Sequence, residues 1–292
     1  MARRRPANTH GLAVVDKPAG VTSHDVVGML RRRFGERQVG HAGTLDPDAT
    51  GVLLVGVGRS TRLLRFLTDL GKTYTAEVVF GTSTDTLDSA GKVTGTFEMS
   101  GLSPAQVQAA VTGHLTGHIM QVPPMVSALK VDGKRLHELA REGIEIERSA
   151  RPVTVSRFDV APTSDPLVYE IAVQCSKGTY IRTLADDLGR LCGGGAHLRR
   201  LRRTAVGSFS GAEAAAPDVV ELLTLPQAMR DYPQVTISAE MAALVANGRL
   251  LDRAQCGFVG DGPWAVLGPD GELLAMYEVR DGAEAKPSVV LA

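Results

Sequence analysis

Cysteine is scarce. Cys175, Cys192 and Cys256 are widely spaced and odd in number, which suits neither a disulfide framework nor a zinc site and fits a reducing cytoplasm. Each reads as a small buried hydrophobe. No apolar run approaches the ~20 residues needed to cross a membrane. The leading segment Met1-Ala2-Arg3-Arg4-Arg5-Pro6 is basic but has no apolar stretch behind it, so it does not read as a secretory signal. P-loop, HExxH and paired cysteine-histidine patterns are missing, as are internal repeats and low-complexity tracts. These gaps argue against phosphate transfer, zinc hydrolysis and repeat architectures. The expectation is a cytoplasmic protein without membrane, metal or cofactor.

An excess of one charge is also lacking, with 32 basic and 32 acidic residues in 292. The balance hides a segregation. Residues 211–292 carry 5 Lys+Arg and 12 Asp+Glu, leaving 27 basic and 20 acidic groups for residues 1–210. A polyanion would therefore meet the first two-thirds of the chain. Two basic clusters lie there: Arg31-Arg32-Arg33 with Arg37, and Arg199-Arg200 with Arg202-Arg203. Each alone fits a solvated helix face or strand edge; together they point to RNA.

The hydrophobic pattern predicts strands at Leu12–Val15, Thr50–Val57, Lys72–Phe80, Val153–Val160, Leu167–Cys175 and Ala196–Val206. Helices are expected after the caps Thr22/Ser23, Ser60, Ser103 and Thr179. Pro123-Pro124 opens a charged insertion, about 122–152, with a short helix expected from Lys134 to Glu142. Residues 211–234 read as a connecting helix and linker. A second unit, 235–292, begins with a helix capped by Ser238 and continues with strands near Trp264–Leu267, Leu273–Val279 and Val289–Leu291.

The densest local signal is Gly40-His41-Ala42-Gly43-Thr44-Leu45-Asp46-Pro47-Asp48-Ala49-Thr50-Gly51. Three glycines permit tight backbone, and Pro47 stiffens the residue before it, Asp46. On composition alone this is a structural turn. The whole string, however, closely resembles the catalytic loop of the TruB-type tRNA pseudouridine synthases, in which the aspartate of Leu-Asp-Pro is the catalytic carboxylate. A second block, Lys177-Gly178-Thr179-Tyr180-Ile181-Arg182-Thr183, and a third, Pro123 to Lys130, resemble the same family, and the likeness runs over most of residues 10–210.

The resemblance implies isomerisation of uridine to pseudouridine. The N1–C1′ bond breaks, the uracil turns, C5 bonds to C1′ and the C5 proton leaves. No redox or phosphate step occurs, so no cofactor is required. A covalent route needs a carboxylate nucleophile, which the resemblance assigns to Asp46, attacking either sugar or ring. Arg182 becomes its ion partner, opposing the pKa rise that burial causes, and Tyr180 faces the base as candidate acceptor of the C5 proton. A flipped base needs new stacking; Tyr74 matches the family's stacking tyrosine and Leu201 an apolar wall. His41 is a candidate to fill the space the base leaves, Asp88 a candidate hydrogen-bond partner near the site, and Lys130 a substrate-side cation. For His41 a core histidine and for Asp88 a turn cap are equal competitors, and Asp48 reads as a solvated turn carboxylate.

The expected fold is α+β: a catalytic domain with a mixed, mostly antiparallel sheet over residues 1–230, carrying an RNA-binding thumb at about 122–152, then a small β-rich PUA-like domain. The expected substrate is the T-arm of tRNA at position 55, acted on by a monomer with no protein partner. Three rivals are weighed. A non-catalytic RNA chaperone would not need Asp46. A glycosidase would need a second carboxylate where the second block has Tyr and Arg. A guide-RNA-dependent relative would want a long basic extension. The acidic C-terminal unit suits phosphate poorly, with Arg249 and Arg253 as its local basic patch.

Overall fold

The computed structural model describes residues 9–127, 129–131, 134–136, 142–144 and 146–291. Its first sheet has ten strands among the described residues. In chain order these are β1 (Gly11–Lys17), β2 (Val39–Ala42), β3 (Thr50–Val57) and β4 (Lys72–Phe80). A small hairpin, β5 (Thr82–Thr84) and β6 (Val93–Thr96), stands apart. The sheet resumes with β7 (Gly117–Gln121); β8 (Lys130–Val131) and β9 (Lys134–Arg135) pair only with each other. It is completed by β10 (Arg151–Pro162), β11 (Val168–Cys175), β12 (Ala196–Val206), β13 (Phe209–Ser210) and β14 (Leu222–Leu223).

The order is β14-β1-β3-β12-β4-β11-β10-β7, with β2 and β13 paired at β3 and β12. Every pairing is antiparallel except β12 with β3. That parallel contact sets Arg202 and Arg203 opposite Thr50 and Gly51, bringing the second basic cluster to the end of the Gly40–Gly51 loop. Strand β4 follows the period-two pattern: Lys72, Tyr74, Ala76, Val78 and Phe80 are buried. The four apolar ones share a core with Ile181, Leu184, Ala185 and Leu188 of the helix α4 (Ile181–Leu191) and with Val107 of α3 (Pro104–Ala110).

Local signals place the helices. In α1 (Ser23–Phe34), Thr22 and Asp25 form a reciprocal capping box and Gly35 closes the helix at φ 61°. Such a cap contributes about 1 kcal/mol. Val26, Val27 and Leu30 bury the inner face against Ala13, Val15 and Leu53. Ser60 does not cap a helix: it lies inside a 3-10 turn, Gly58–Leu63, that precedes the α-helix α2, Leu64–Asp69. The helix α4 spans Ile181–Leu191. Thr179 does not cap it: Tyr180 occupies the N-cap position without a side-chain bond, and the Thr179 hydroxyl donates to the Ser176 carbonyl at 3.0 Å.

The segment 211–234 is more than a linker. Leu222 and Leu223 pair with Ala13 and Leu12, adding β14 to the sheet edge. The expected helix from Lys134 starts instead as a strand, since Lys134 and Arg135 face Val131 and Lys130; most of the rest of that expectation falls outside the described residues. The second sheet runs β15 (Gln234–Thr236), β17 (Trp264–Leu267), β18 (Leu273–Val279), β19 (Glu284–Val290), β16 (Leu251–Asp252). Two-residue β16 and three-residue β15 are too short to show a period in the sequence. One face of this sheet supplies Ala265, Leu267, Leu273 and Met276 to a core shared with Leu12, Val14, Leu63 and Phe66 of the first unit. Arg253 does not present a free cation. Its guanidinium donates to the Gly282 and Gly260 carbonyls and lies 5.1 Å over Trp264.

Candidate active site

The Gly40–Gly51 loop is fixed from below by groups that the sequence shows as ordinary polar residues. Lys17 is fully buried and its ammonium donates to the carbonyls of Pro18, Val21 and Pro47 at 2.9, 2.7 and 2.8 Å. Burial pushes its pKa down, partly opposed by the charges of Asp48 and Asp46. The Ser23 hydroxyl accepts from Leu45 N–H at 2.9 Å and donates to the Leu45 carbonyl at 3.1 Å. Leu45 is buried at 3 % exposure, so the residue before Asp46 is anchored in the core. Gly51, at φ 101°, passes so close to the Arg203 backbone that any β-carbon would collide with it.

Asp46 therefore projects from a rigid loop to α4. Arg182 meets it with a fork: Nε lies 3.0 Å from Oδ2 and Nη2 donates to Oδ1 at 3.2 Å. Arg182 is 5 % exposed and also donates to the carbonyls of Thr86 and Val126 at 2.9 and 2.7 Å. Asp88 is a further anion, 3.5 Å from Nη1. Its other oxygen accepts from the Thr86 hydroxyl at 2.6 Å and from Ala90 N–H at 3.1 Å, so Asp88 caps its turn and also lies beside Arg182. Burial raises the Asp46 pKa above the usual carboxylate value, and Arg182 opposes that rise. The Asp46 side chain keeps 42 % of its surface open, because it sits at a cavity floor with dense protein behind it.

That cavity measures about 280 Å³ and is lined by Asp46, Tyr74, Tyr180, Arg182, Leu201 and Arg203, among others. Five residues expected at the site thus converge. A bulge aims one of them. The register of β12 against β4 shifts between Arg199 and Arg202, and Arg200 takes φ 56°, a conformation that costs a non-glycine residue roughly 1 kcal/mol. The shift turns Leu201 into the cavity. A second cavity of about 210 Å³ meets the first at Asp46 and Arg182, and holds Asp48 and Asp88. A depression of about 410 Å³ on the other face of the sheet, between Glu77 and Glu170, touches none of these groups.

His41 behaves differently. It lies on β2 opposite Val55 and is not part of either cavity wall. Its Nδ1 is buried without a hydrogen bond, and burial and the charge of Arg203 push its pKa down. The Lys130 side chain lies outside the described residues. Three groups escaped the sequence reading: Lys17, Arg203 and Gln121. Each bonds backbone atoms of at least one distant segment, which no spacing reveals. The basic string at 199–203 also changes meaning, since Arg199 and Arg200 pair with Glu77 and Arg202 pairs with Asp16, while Arg203 is buried at 1 %. Arg32 and Arg37 remain without a carboxylate partner among the described residues.

Comparison with known proteins decides the family. Residues 31–181 match the model of the TruB family pseudouridylate synthase N-terminal domain. The chain belongs to this family. Residues 182–244 match the tRNA pseudouridylate synthase B C-terminal domain, and 232–292 the tRNA pseudouridine synthase II C-terminal model. Similar relatives carry the name tRNA pseudouridine synthase B. One from Corynebacterium aurimucosum is 45 % identical over 284 residues, covering 94 % of each chain. One from Mycobacteroides abscessus is 44 % identical over 296 residues, covering 98 % of this chain and 97 % of its own. Among solved structures, a Cbf5-Nop10-Gar1 complex matches with TM-score 0.74 at 24 % identity, over 97 % of this chain and 85 % of the other. An archaeal box H/ACA Nop10-Cbf5 complex matches with TM-score 0.71 at 22 % identity, over 99 % and 89 %. These two show that the α+β fold is shared with the matched chains. As a TruB-family member the protein is a pseudouridine synthase, an enzyme that isomerises uridine.

Proposed function

We propose that the protein converts the uridine at position 55 in the T-arm of tRNA to pseudouridine, with Asp46 as nucleophile. The observation that carries this reading is the forked contact of Arg182 with Asp46 at the floor of a cavity walled by Tyr74, Tyr180 and Leu201. The names of the similar relatives support tRNA as substrate.

The geometry suits each step. Uridine enters the cavity only when flipped from its stack, and the Tyr74 ring and the Leu201 side chain supply apolar surface that offsets the lost stacking. Burial makes Asp46 a poorly solvated and hence more reactive anion, while Arg182 keeps it ionised. Arg182 is itself held by two carbonyls and Asp88, so it presents its fork without reorganising. The Tyr180 side chain faces the base as candidate acceptor of the C5 proton. His41 is assigned to the helix the base has left, and Lys130 to the RNA strand. The catalytic domain is assigned to residues 1–230, with the insertion at about 122–152 as RNA-gripping thumb, and the small domain to 235–292. The enzyme is proposed to act in the cytoplasm as a monomer.

The test is pseudouridine mapping on unmodified tRNA transcript. One carbodiimide-dependent stop at position 55 is expected, absent when that uridine is replaced by cytidine and retained on an isolated T-arm stem-loop. Modification at another position, or none on the stem-loop, would overturn the T-arm assignment.

A further inference from the structure

Gln121 ends β7 and is 2 % exposed. Its backbone sits opposite Arg151 of β10, but its side chain turns to a different segment. There it gives both amide atoms to one residue. Oε1 accepts from Tyr180 N–H at 2.7 Å, and Nε2 donates to the Tyr180 carbonyl at 3.1 Å. This pair copies, with a side-chain amide, the two-bond exchange between opposed residues of an antiparallel sheet.

Tyr180 depends on it. The residue holds extended backbone, φ −102° and ψ 110°, directly before α4, and no side chain caps that helix. The carbonyl also receives the first helical bond, from Leu184 N–H at 3.2 Å. Two bonds to one peptide residue fix the rotation of its backbone and so the direction of its Cα–Cβ bond. The ring at the end of that bond lines the Asp46 cavity. Five residues further on, Val126 accepts from Arg182. The chain entering the charged insertion is thus fastened to two second-block residues that line the cavity, Tyr180 and Arg182.

We propose that Gln121 is a positioning residue for the isomerisation: its amide aims the Tyr180 ring at the reacting base. The proposal rests on the assignment of Tyr180 above. Small displacements of a reacting group cost large factors in rate, whereas Gln121, behind the cavity wall, offers nothing to the RNA itself.

The test is a double-mutant cycle of Gln121→Met and Tyr180→Phe, read by single-turnover rate at saturating enzyme and by Kd for tRNA transcript. With Tyr180 present, Gln121→Met is expected to slow the rate at least about tenfold and to leave Kd within about twofold. In the Tyr180→Phe background the same change is expected to cost less than about threefold, because the phenol oxygen that the ring carries to the base is gone. Equal factors in both backgrounds, or no loss in the first, overturn the proposal. If Gln121→Met does not fold, Gln121→Glu enters the same cycle. It keeps the acceptor for Tyr180 N–H, loses the donor, and is held to the same outcomes. Tyr180→Phe alone separates the two assignments. An unchanged rate there removes Tyr180 and with it the proposal; a slow Tyr180→Phe beside a normal Gln121→Met removes Gln121 only. A wild type that forms no pseudouridine removes the function itself.

Discussion

Two buried arginines flank the same cavity and serve different ends. Arg182 forms one wall, where its charge is matched by Asp46 and Asp88. Arg203 forms the other. It donates to the Val52 and Gly43 carbonyls at 2.7 and 3.0 Å and lines the cavity beside Tyr74, with no carboxylate partner among the described residues. The first wall holds the anion proposed as nucleophile. The second is a scaffold that ties β12, β3 and the Gly43 turn together, and its uncompensated charge is felt around it. Burial and Arg203 together lower the Lys72 pKa to about 8, and the same two causes depress His41. Equal burial of the same residue type therefore says nothing about role; the oxygens it meets decide.

Substitutions on each wall sharpen the contrast. Arg182→Lys loses the fork, which a point-like ammonium cannot reproduce. The single-turnover rate is expected to fall by about 10²–10³-fold, with tRNA affinity little changed. The pH profile moves as well. Asp46 must be ionised to attack, so the wild-type rate falls as pH drops through its pKa, which burial has raised above 3.8. An ammonium that cannot meet both oxygens stabilises the anion less than the fork does, so that pKa rises further, and the acidic limb of Arg182→Lys is expected at higher pH than in wild type.

Arg203→Met acts on stability. Two buried carbonyls lose their donor, and thermal or urea unfolding is expected to show a loss of about 3 kcal/mol, while the position of the acidic limb stays at its wild-type pH. A large shift of that limb would erase the distinction between the walls. Lys72 gives a smaller, pH-specific effect. Its folded pKa lies below the unfolded value of 10.5. Below pH 8 the fold must hold a disfavoured ammonium, and from about 8 to 10.5 the unfolded chain binds more protons. Stability from this group therefore rises with pH across that window, and urea titrations of Lys72→Met should lack the rise. The smallest effect belongs to the exposed Arg65–Glu278 pair at 2.7 Å. Arg65→Ala is expected to cost less than about 0.5 kcal/mol in the same titrations.

Much of this was legible in the chain. Strands β3, β4 and β12 fall at the predicted bounds: β3 is a long apolar run, β4 alternates with period two, and β12 lies between Gly195 and Gly207. The N-caps Thr22 of α1 and Ser103 of α3 are local and legible; their reciprocal partners Asp25 and Gln106 are added by the structure. Asp46 and Arg182, 136 positions apart, were brought together only by resemblance, since no local rule couples a turn aspartate to a helix arginine so far along the chain. What stayed hidden depends on tertiary pairing with backbone: Lys17 under the loop, Arg203 behind Tyr74, Gln121 on Tyr180. A buried lysine or arginine inside a basic string reads as surface until its carbonyl partners are known, which is why 199–203 looked like a polyanion site and proved largely neutralised by Glu77 and Asp16. Strand β14 was missed because two leucines in a linker show no period.

The central claim is that the carboxylate of Asp46, and not merely the shape of the cavity, performs the isomerisation. It is tested most directly by Asp46→Asn with tRNA transcript, measuring Kd and single-turnover pseudouridine formation together. The substitution keeps the size of the side chain and removes a carboxylate that burial disfavours, so the fold and the binding should persist. The predicted result is binding within about threefold of wild type and a rate reduced by more than about 10³-fold. Pseudouridine formed by Asp46→Asn at near the wild-type rate would contradict the account.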